Sequence, residues 1–393
     1  MDEKNRQFVY YIPTKVYFGP DQIGHLGGEL KKWGSRVLLC YGGGSIKRSG
    51  LYDRIVESVK DSGLELFELG GIAPNPRIDS VRKGAEICRR EKIDVVLAAG
   101  GGSVIDCAKF IASATFYDGD AWDLLSKQVR TEKCLPVFSV LTAAATGSEM
   151  DAGGVISNPE TQDKLGGGAP GMLPKVSFLD PTVTYSVSPK QTACGSADIL
   201  SHLYEIYFVP EGESMYMLDR FMEGMMRSVI KYAPIALKEP DNYEARENLM
   251  WTSSWAINGF AGAKQQCDWS CHPIEHEVSA IYDITHGLGL AIITPRWMRY
   301  ILDETTAPKF REYGVNVFGL DSSMDTMEAA EKSISLTEDF LFDALGIPSS
   351  FSEIGIGDEN IPVMAEKACG GDVLYGYRPL KKDDIEKILR ACL

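Results

Sequence analysis

Asp94-Val95-Val96-Leu97-Ala98-Ala99-Gly100-Gly101-Gly102-Ser103 is the stretch on which the fold turns. A short run of apolar and β-branched residues, cut off by three glycines, reads as a buried strand delivered into a tight turn. The same pattern occurs upstream, where Arg36-Val37-Leu38-Leu39-Cys40-Tyr41 runs into Gly42-Gly43-Gly44-Ser45. Helical periodicity follows each strand: residues 51–62 after the first glycine turn, and 78–90 after a further strand at 64–69 and the breaker Pro74-Asn75-Pro76. A fourth strand, Leu135-Pro136-Val137-Phe138-Ser139-Val140, leads to Thr142-x3-Thr146-Gly147-Ser148-Glu149. Strands alternating with helices predict a mainly parallel, Rossmann-like sheet covered by helices. Open α/β sheets of this kind place ligands at the carboxyl ends of their strands, where these turns lie.

Glycine lets a backbone approach a pyrophosphate closely, and a following helix N-terminus favours negative charge. Gly42, Gly43, Gly44, Ser45, Gly100, Gly101, Gly102 and Ser103 are therefore candidate nucleotide contacts, with Asp106 following the second turn. Thr142, Thr146 and Ser148 add hydroxyls within reach of a sugar or phosphate. Either glycine turn alone could be merely structural, and neither is G-x-G-x-x-G. Three small, polar turns at the ends of parallel strands are better explained together by one nucleotide.

Residues 153–157 and the glycines at 166–168 read as a hairpin and loop attached to the sheet. Near Ser188-Pro189 the texture changes to long helical periods with few strand signals. The expected division is an α/β domain over 1–187 and an all-helical domain over 188–393.

Four of the chain's five histidines fall in two clusters, Asp198-x3-His202 and His272-x3-His276-x9-His286. A spacing of four puts Asp198 and His202 on one helix face, and His272 with His276 on another. One carboxylate and several imidazoles suit a borderline divalent ion: Fe2+, Zn2+ or Ni2+. A competing string, Cys267-x3-Cys271-His272-x3-His276, lacks the loop that would let its four members converge on zinc.

The chain has 393 residues, 44% hydrophobic and 24% charged, with a net charge of −15. That length accommodates two domains with sizeable cores. The charge repels phosphate backbones and anionic lipid heads, so neither nucleic acid nor a membrane is an expected partner. No secretory signal or membrane-length apolar run is visible. Nine scattered cysteines fit reduced thiols in a cytoplasmic protein.

Taken together, these residues resemble the iron-containing (group III) alcohol dehydrogenases, in their butanol dehydrogenase branch. The likeness rests on Tyr17-Phe18-Gly19, the two Gly-Gly-Gly-Ser turns, Pro74-Asn75-Pro76, Ser103-Val104-Ile105-Asp106, the 142–149 string, Asp198-x3-His202 and His272-x3-His276-x9-His286-Gly287. It implies a dehydroquinate synthase-like two-domain architecture and a reaction that moves hydride between a nicotinamide cofactor and small alcohols or aldehydes. It implies Asp198, His202, His272 and His286 as metal ligands, with Fe2+ favoured, and places His276 beside the ion as a proton-handling group. Asn75, Lys47 and Lys164 join the cofactor contacts. The first turn lacks the acid common in NAD-specific members and carries Ser45, Lys47 and Arg48, so NADP(H) is expected over NAD(H). A homodimer is implied by resemblance alone. Two alternatives are a glycerol dehydrogenase-like or lyase member of the same superfamily and a non-catalytic sensor; the His272-x3-His276 pair and the 142–149 string favour the alcohol dehydrogenase branch. Trp251, Trp255, Phe260 and Trp269 supply aromatic bulk in the second half, as core in the first instance. A pocket with such bulk would suit unbranched aliphatic aldehydes.

Overall fold

A computed structural model describes residues 8–210, 214–262 and 269–393. The chain divides into two compact units. One holds residues 11–188 with 240–254, and the other holds the described parts of 189–239 and 255–393 together with residues 8–10.

The first unit is built on a six-stranded sheet of β1 (Lys15–Phe18), β2 (Arg36–Tyr41), β3 (Glu65–Leu69), β4 (Val95–Gly100), β5 (Val137–Leu141) and β8 (Val176–Leu179). Its order is β1-β8-β5-β4-β2-β3, and every pairing is parallel. Successive side chains point to opposite faces, and both faces are covered, which is why these strands read as near-continuous apolar runs. Val37, Leu39, Val95, Leu97, Phe138 and Val140 pack on one side with Leu26, Leu30, Ile55 and Val59 from α1 (Leu26–Leu30) and α3 (Leu51–Asp61). Leu38, Cys40, Val96, Ala98, Val137 and Leu141 pack on the other with residues of α4 (Ile78–Glu91) and α5 (Gly102–Ala114). Two short helices, α2 (Ser45–Arg48) and α6 (Asp123–Ser126), complete this alternation. The expected hairpin is β6 (Gly153–Asn158) against β7 (Asp163–Gly168), antiparallel.

β1 and β8 are four-residue strands without a strong pattern, so the sequence reading did not pick them out. β8 inserts between β1 and β5 and extends the sheet beyond the four strands expected.

The second unit is helical: α7 (Pro189–Tyr207), α8 (Tyr216–Lys238), α10 (Cys271–Tyr282), α11 (His286–Ile301), α12 (Ala307–Phe318), α13 (Thr326–Glu338), α14 (Ile361–Ala368) and α15 (Lys382–Ala391). A ribbon of β9 (Val373–Leu374) and β10 (Leu380–Lys381) is its one β element among the described residues. α7 is buried from Thr192 to Tyr207, which marks it as the central helix. α11 approaches it closely at Gly287, where a Cβ would lie 1.9 Å from the Cys194 carbonyl oxygen. Most of α9 (Tyr243–Ile257) belongs with the sheet unit, because residues 240–254 cluster there. The expected 188–393 domain is interrupted at that helix.

Candidate metal and nucleotide site

Three helices of the second unit bring four side chains together. Asp198 and His202 stand one turn apart on α7, His272 is the second residue of α10, and His286 opens α11. Asp283, with φ of 52°, ends α10 in a left-handed conformation and turns the chain so that His286 faces back. The Nε2 atoms of His202, His272 and His286 lie 3.6, 4.0 and 3.8 Å from Asp198 Oδ1. Those separations are too long for hydrogen bonds. They lie close to the donor–donor edge of about 3.4 Å expected around one tetrahedral ion with bonds near 2.1 Å. His272 Nε2 is buried and has no hydrogen-bond partner, an arrangement that a coordinated cation satisfies. The donor set therefore fits a divalent ion.

The outer nitrogens are fixed by two glutamates that the sequence reading missed. Glu205, on α7, bonds His272 Nδ1 and accepts from the backbone N–H groups of Ser270, at 2.5 Å, and Cys271. Glu275, on α10, bonds His286 Nδ1 and accepts from the Ser279 hydroxyl. A carboxylate on the far ring nitrogen sets the tautomer and raises the basicity of a metal-binding imidazole. Their only sequence signal is spacing: Glu205 follows His202 by three and Glu275 follows His272 by three.

Burial, followed by the fields of His272 and His286, pushes His202 well below the usual imidazole range, which keeps it in the neutral form a ligand needs. Burial lowers His272 as well, but the carboxylates of Glu205, Asp198 and Glu275 together outweigh it and the net shift is upward. Trp269 stands edge-to-face against His272 at 4.6 Å and against His202 at 5.7 Å between ring centroids. It walls the imidazole cluster and is not remote core.

His276 lies beside this set, its ring 5.5 Å from His286 and 6.3 Å from His272. Glu275, His276 and His286 also place donor atoms within 4.8 Å of one another. Because Glu275 is committed to His286 Nδ1 and Ser279, this grouping reads as the outer rim of the same centre. In the alternative cysteine–histidine string, Cys267 lies outside the described residues. Burial raises the Cys271 thiol well above its usual range, which disfavours a thiolate ligand.

In the sheet unit, the turns come together at the carboxyl edge. Gly44 takes φ of 95° before Ser45. Gly102 opens α5 so close to the third turn that a Cβ there would meet Thr146 Oγ1 at 2.3 Å. The Thr142 amide donates to the Gly100 carbonyl at 3.1 Å. Gly101 and Ser103 flank Gly102 at the N-terminus of α5, an end that favours negative charge. Gly42 lies beside the same helix, where its Cβ would meet Val104 at 3.8 Å. Gly43 is exposed between the two.

The remaining predicted contacts are distributed differently. Asn75 is buried with φ of 50°, and Lys164 is buried on β7 opposite Ser157. Asp106 and Ser148 are buried and bonded to each other at 2.5 Å, and the Asp106 carboxylate also accepts from the Val155 amide. Lys47 places its ammonium over the rings of Tyr41 and Tyr52, at 4.8 and 4.5 Å. Of the aromatic residues expected as core, Trp251 is 39% exposed and stands edge-on to Phe18.

Both halves of the chain are similar to known proteins. Residues 13–181 match the model of the iron-containing alcohol dehydrogenases, and 192–393 match the C-terminal model of the same family. The chain is 51% identical to NADH-dependent butanol dehydrogenase A of Clostridium acetobutylicum over 385 residues, 98% of each chain. It is 36% identical to the NADPH-dependent aldehyde reductase YqhD of Escherichia coli, over 92% of each. The crystal structure of NADH-dependent butanol dehydrogenase A from Thermotoga maritima superposes with a TM-score of 0.93 at 37% identity, covering 98% of both chains. The chain thus belongs to the iron-containing alcohol dehydrogenase family, in its butanol dehydrogenase branch, and is an alcohol dehydrogenase.

Proposed function

We propose that this protein interconverts small unbranched aliphatic aldehydes and their primary alcohols, with NADP(H) favoured over NAD(H) and one divalent ion, Fe2+ in the first instance, held by Asp198, His202, His272 and His286. The observation that carries the reading is the convergence of three imidazole Nε2 atoms on Asp198 Oδ1. When bound, the ion supplies Lewis-acid polarisation of the substrate oxygen, and the nicotinamide supplies or accepts the hydride. Glu205 and Glu275 hold the Nδ1 protons of His272 and His286, so that both Nε2 lone pairs face inward. His276 exchanges the hydroxyl proton with solvent through its ring nitrogen. The glycine turns and the Thr142 and Thr146 hydroxyls hold the pyrophosphate and ribose. Trp269 excludes water from one side of the imidazole cluster and narrows the space for branched substrates.

The preference for NADP(H) is supported by Ser45, Lys47 and Arg48 and by the absence of an acid within the first turn. Close relatives carry both habits in their names, NADH for the Clostridium enzyme and NADPH for the E. coli one. Residence in the cytoplasm belongs to the same proposal. It is supported by the unpaired state of the eight described cysteines, and cell fractionation checks it. Among the described residues, no helix is long and apolar enough to cross a membrane.

Protein prepared without air, loaded with Fe2+ and given butyraldehyde, should consume NADPH with a higher kcat/KM than NADH. Failure to oxidise either nucleotide with any small aldehyde would sink the enzymatic reading. A preference for glycerol over butanol would move it to the polyol branch. Replacement of Fe2+ by Zn2+ or Ni2+ after chelation identifies the working ion.

A further inference from the structure

The chain leaves β2 towards β3 on one side and returns to β4 on the other. The order of strands therefore reverses at the crevice between β2 and β4, which is where doubly wound sheets bind dinucleotides. In such sheets the acid that receives the adenosine ribose 2′-hydroxyl comes from the strand after the first glycine turn. Here that strand is β3, and its penultimate residue is Glu68, in register with Leu39 of β2.

Glu68 is exposed, yet it is not a loosely held surface carboxylate. Tyr41, the last residue of β2, donates its phenol to Glu68 Oε2 at 2.9 Å, and Tyr52 of α3 donates to Oε1 at 2.7 Å. The Tyr41 ring lies over Gly70, where a Cβ would approach it to 2.6 Å. The same two rings carry the Lys47 ammonium on their faces. Two elements thus hold an anion and a cation on one aromatic anchor beside the first glycine turn. A carboxylate has about four acceptor sites, so two phenols leave room for a ribose hydroxyl. Its charge repels a phosphate at the same position, whereas Lys47 attracts one.

Resting on the proposed use of a nicotinamide dinucleotide, we infer that Glu68, clamped by Tyr41 and Tyr52, is the acidic determinant of cofactor choice and opposes Lys47 across the ribose 2′ position. Ser45, Lys47 and Arg48 set a preference for the phosphorylated cofactor, and Glu68 limits it.

The test is the ratio of dissociation constants for NADPH and NADH, measured by nucleotide fluorescence on the metal-loaded protein and on its isosteric variant Glu68→Gln. Loss of one screened charge contact should strengthen NADPH relative to NADH by about fivefold. Lys47→Met should shift the ratio by a similar factor in the opposite direction. The double variant Tyr41→Phe/Tyr52→Phe, which keeps both charges but frees the carboxylate, should weaken NADH more than NADPH. A ratio within twofold of wild type in Glu68→Gln, or equal changes for both nucleotides, overturns the assignment. A shifted binding ratio in a protein that turns over no aldehyde would remove the catalytic reading and leave the role of Glu68 intact. Failure of either nucleotide to bind wild-type protein overturns both.

Discussion

His272 and His276 are one turn apart on α10, but their surroundings differ. His272 has Glu205 on one ring nitrogen and the Asp198 carboxylate 4.0 Å from the other. His276 sits at the rim, partly exposed, with its ring against His286. His272→Ala should therefore lose bound metal and activity together. His276→Ala should keep its metal content and lose turnover by about a hundredfold, the usual scale for a removed proton-transfer group. Elemental analysis beside single-turnover kinetics checks both, and equal metal loss in the two variants would reverse the assignment. At this scale the sequence was legible where chemistry and spacing coincide, as in Asp198-x3-His202. It was silent about Glu205 and Glu275, because a glutamate on a helix is ordinary until its neighbours are known.

At the scale of elements, α5 is the strut that ties the sheet to the hairpin. Its Lys109 ammonium, wholly buried, donates to Ser148 Oγ at 2.8 Å, to the Gly153 carbonyl at 2.6 Å and to Asp151 at 3.3 Å. One turn earlier, Asp106 takes the Ser148 hydroxyl and the Val155 amide. Read along the chain, Asp106 and Ser148 look like nucleotide contacts, because they follow glycine and threonine turns. In the fold, these polar atoms bind one another and fasten the turn to β6. Burial raises the Asp106 carboxyl to about 6, against the pull of Lys109 and its hydrogen bonds. Since the folded value lies above the unfolded one, this group's contribution is complete below pH 4 and is lost as pH rises through 6. Asp106→Asn abolishes that titration. The stability of the variant relative to wild type should rise between pH 4 and 7 by ~2 kcal/mol, read from urea midpoints across that range. A constant difference would show that Asp106 titrates normally.

For the whole molecule, the described chain opens on apolar residues that the fold leaves in water. Phe8 is 48% exposed, Val9 95% and Tyr11 78%. They lead directly into β1, an edge strand of the sheet. Exposed apolar residues that run on into an edge strand mark a surface for another chain. The proposed occupant is a second copy of this one. Sedimentation velocity at micromolar concentration should give the mass of two chains, and Val9→Asp with Tyr11→Asp should shift it towards one. Because each copy carries a net charge of −15, association should strengthen with added salt. A single-chain mass for wild type at every salt concentration would remove the homodimer.

The sequence by itself determined the alternation of strands and helices, the glycine turns at the strand ends and the pairing of Asp198 with His202 on one helix face. Each of these is written locally, in apolar runs, in residues that permit a tight turn, and in side chains four apart on one helix face. Only the tertiary structure decided which carboxylates orient His272 and His286, that Asp106 faces the hairpin, that residues 240–254 cluster with the sheet, and that Glu68 meets Tyr41 and Tyr52. Those pairings join residues from different elements, and no periodicity along one element records what its neighbour presents.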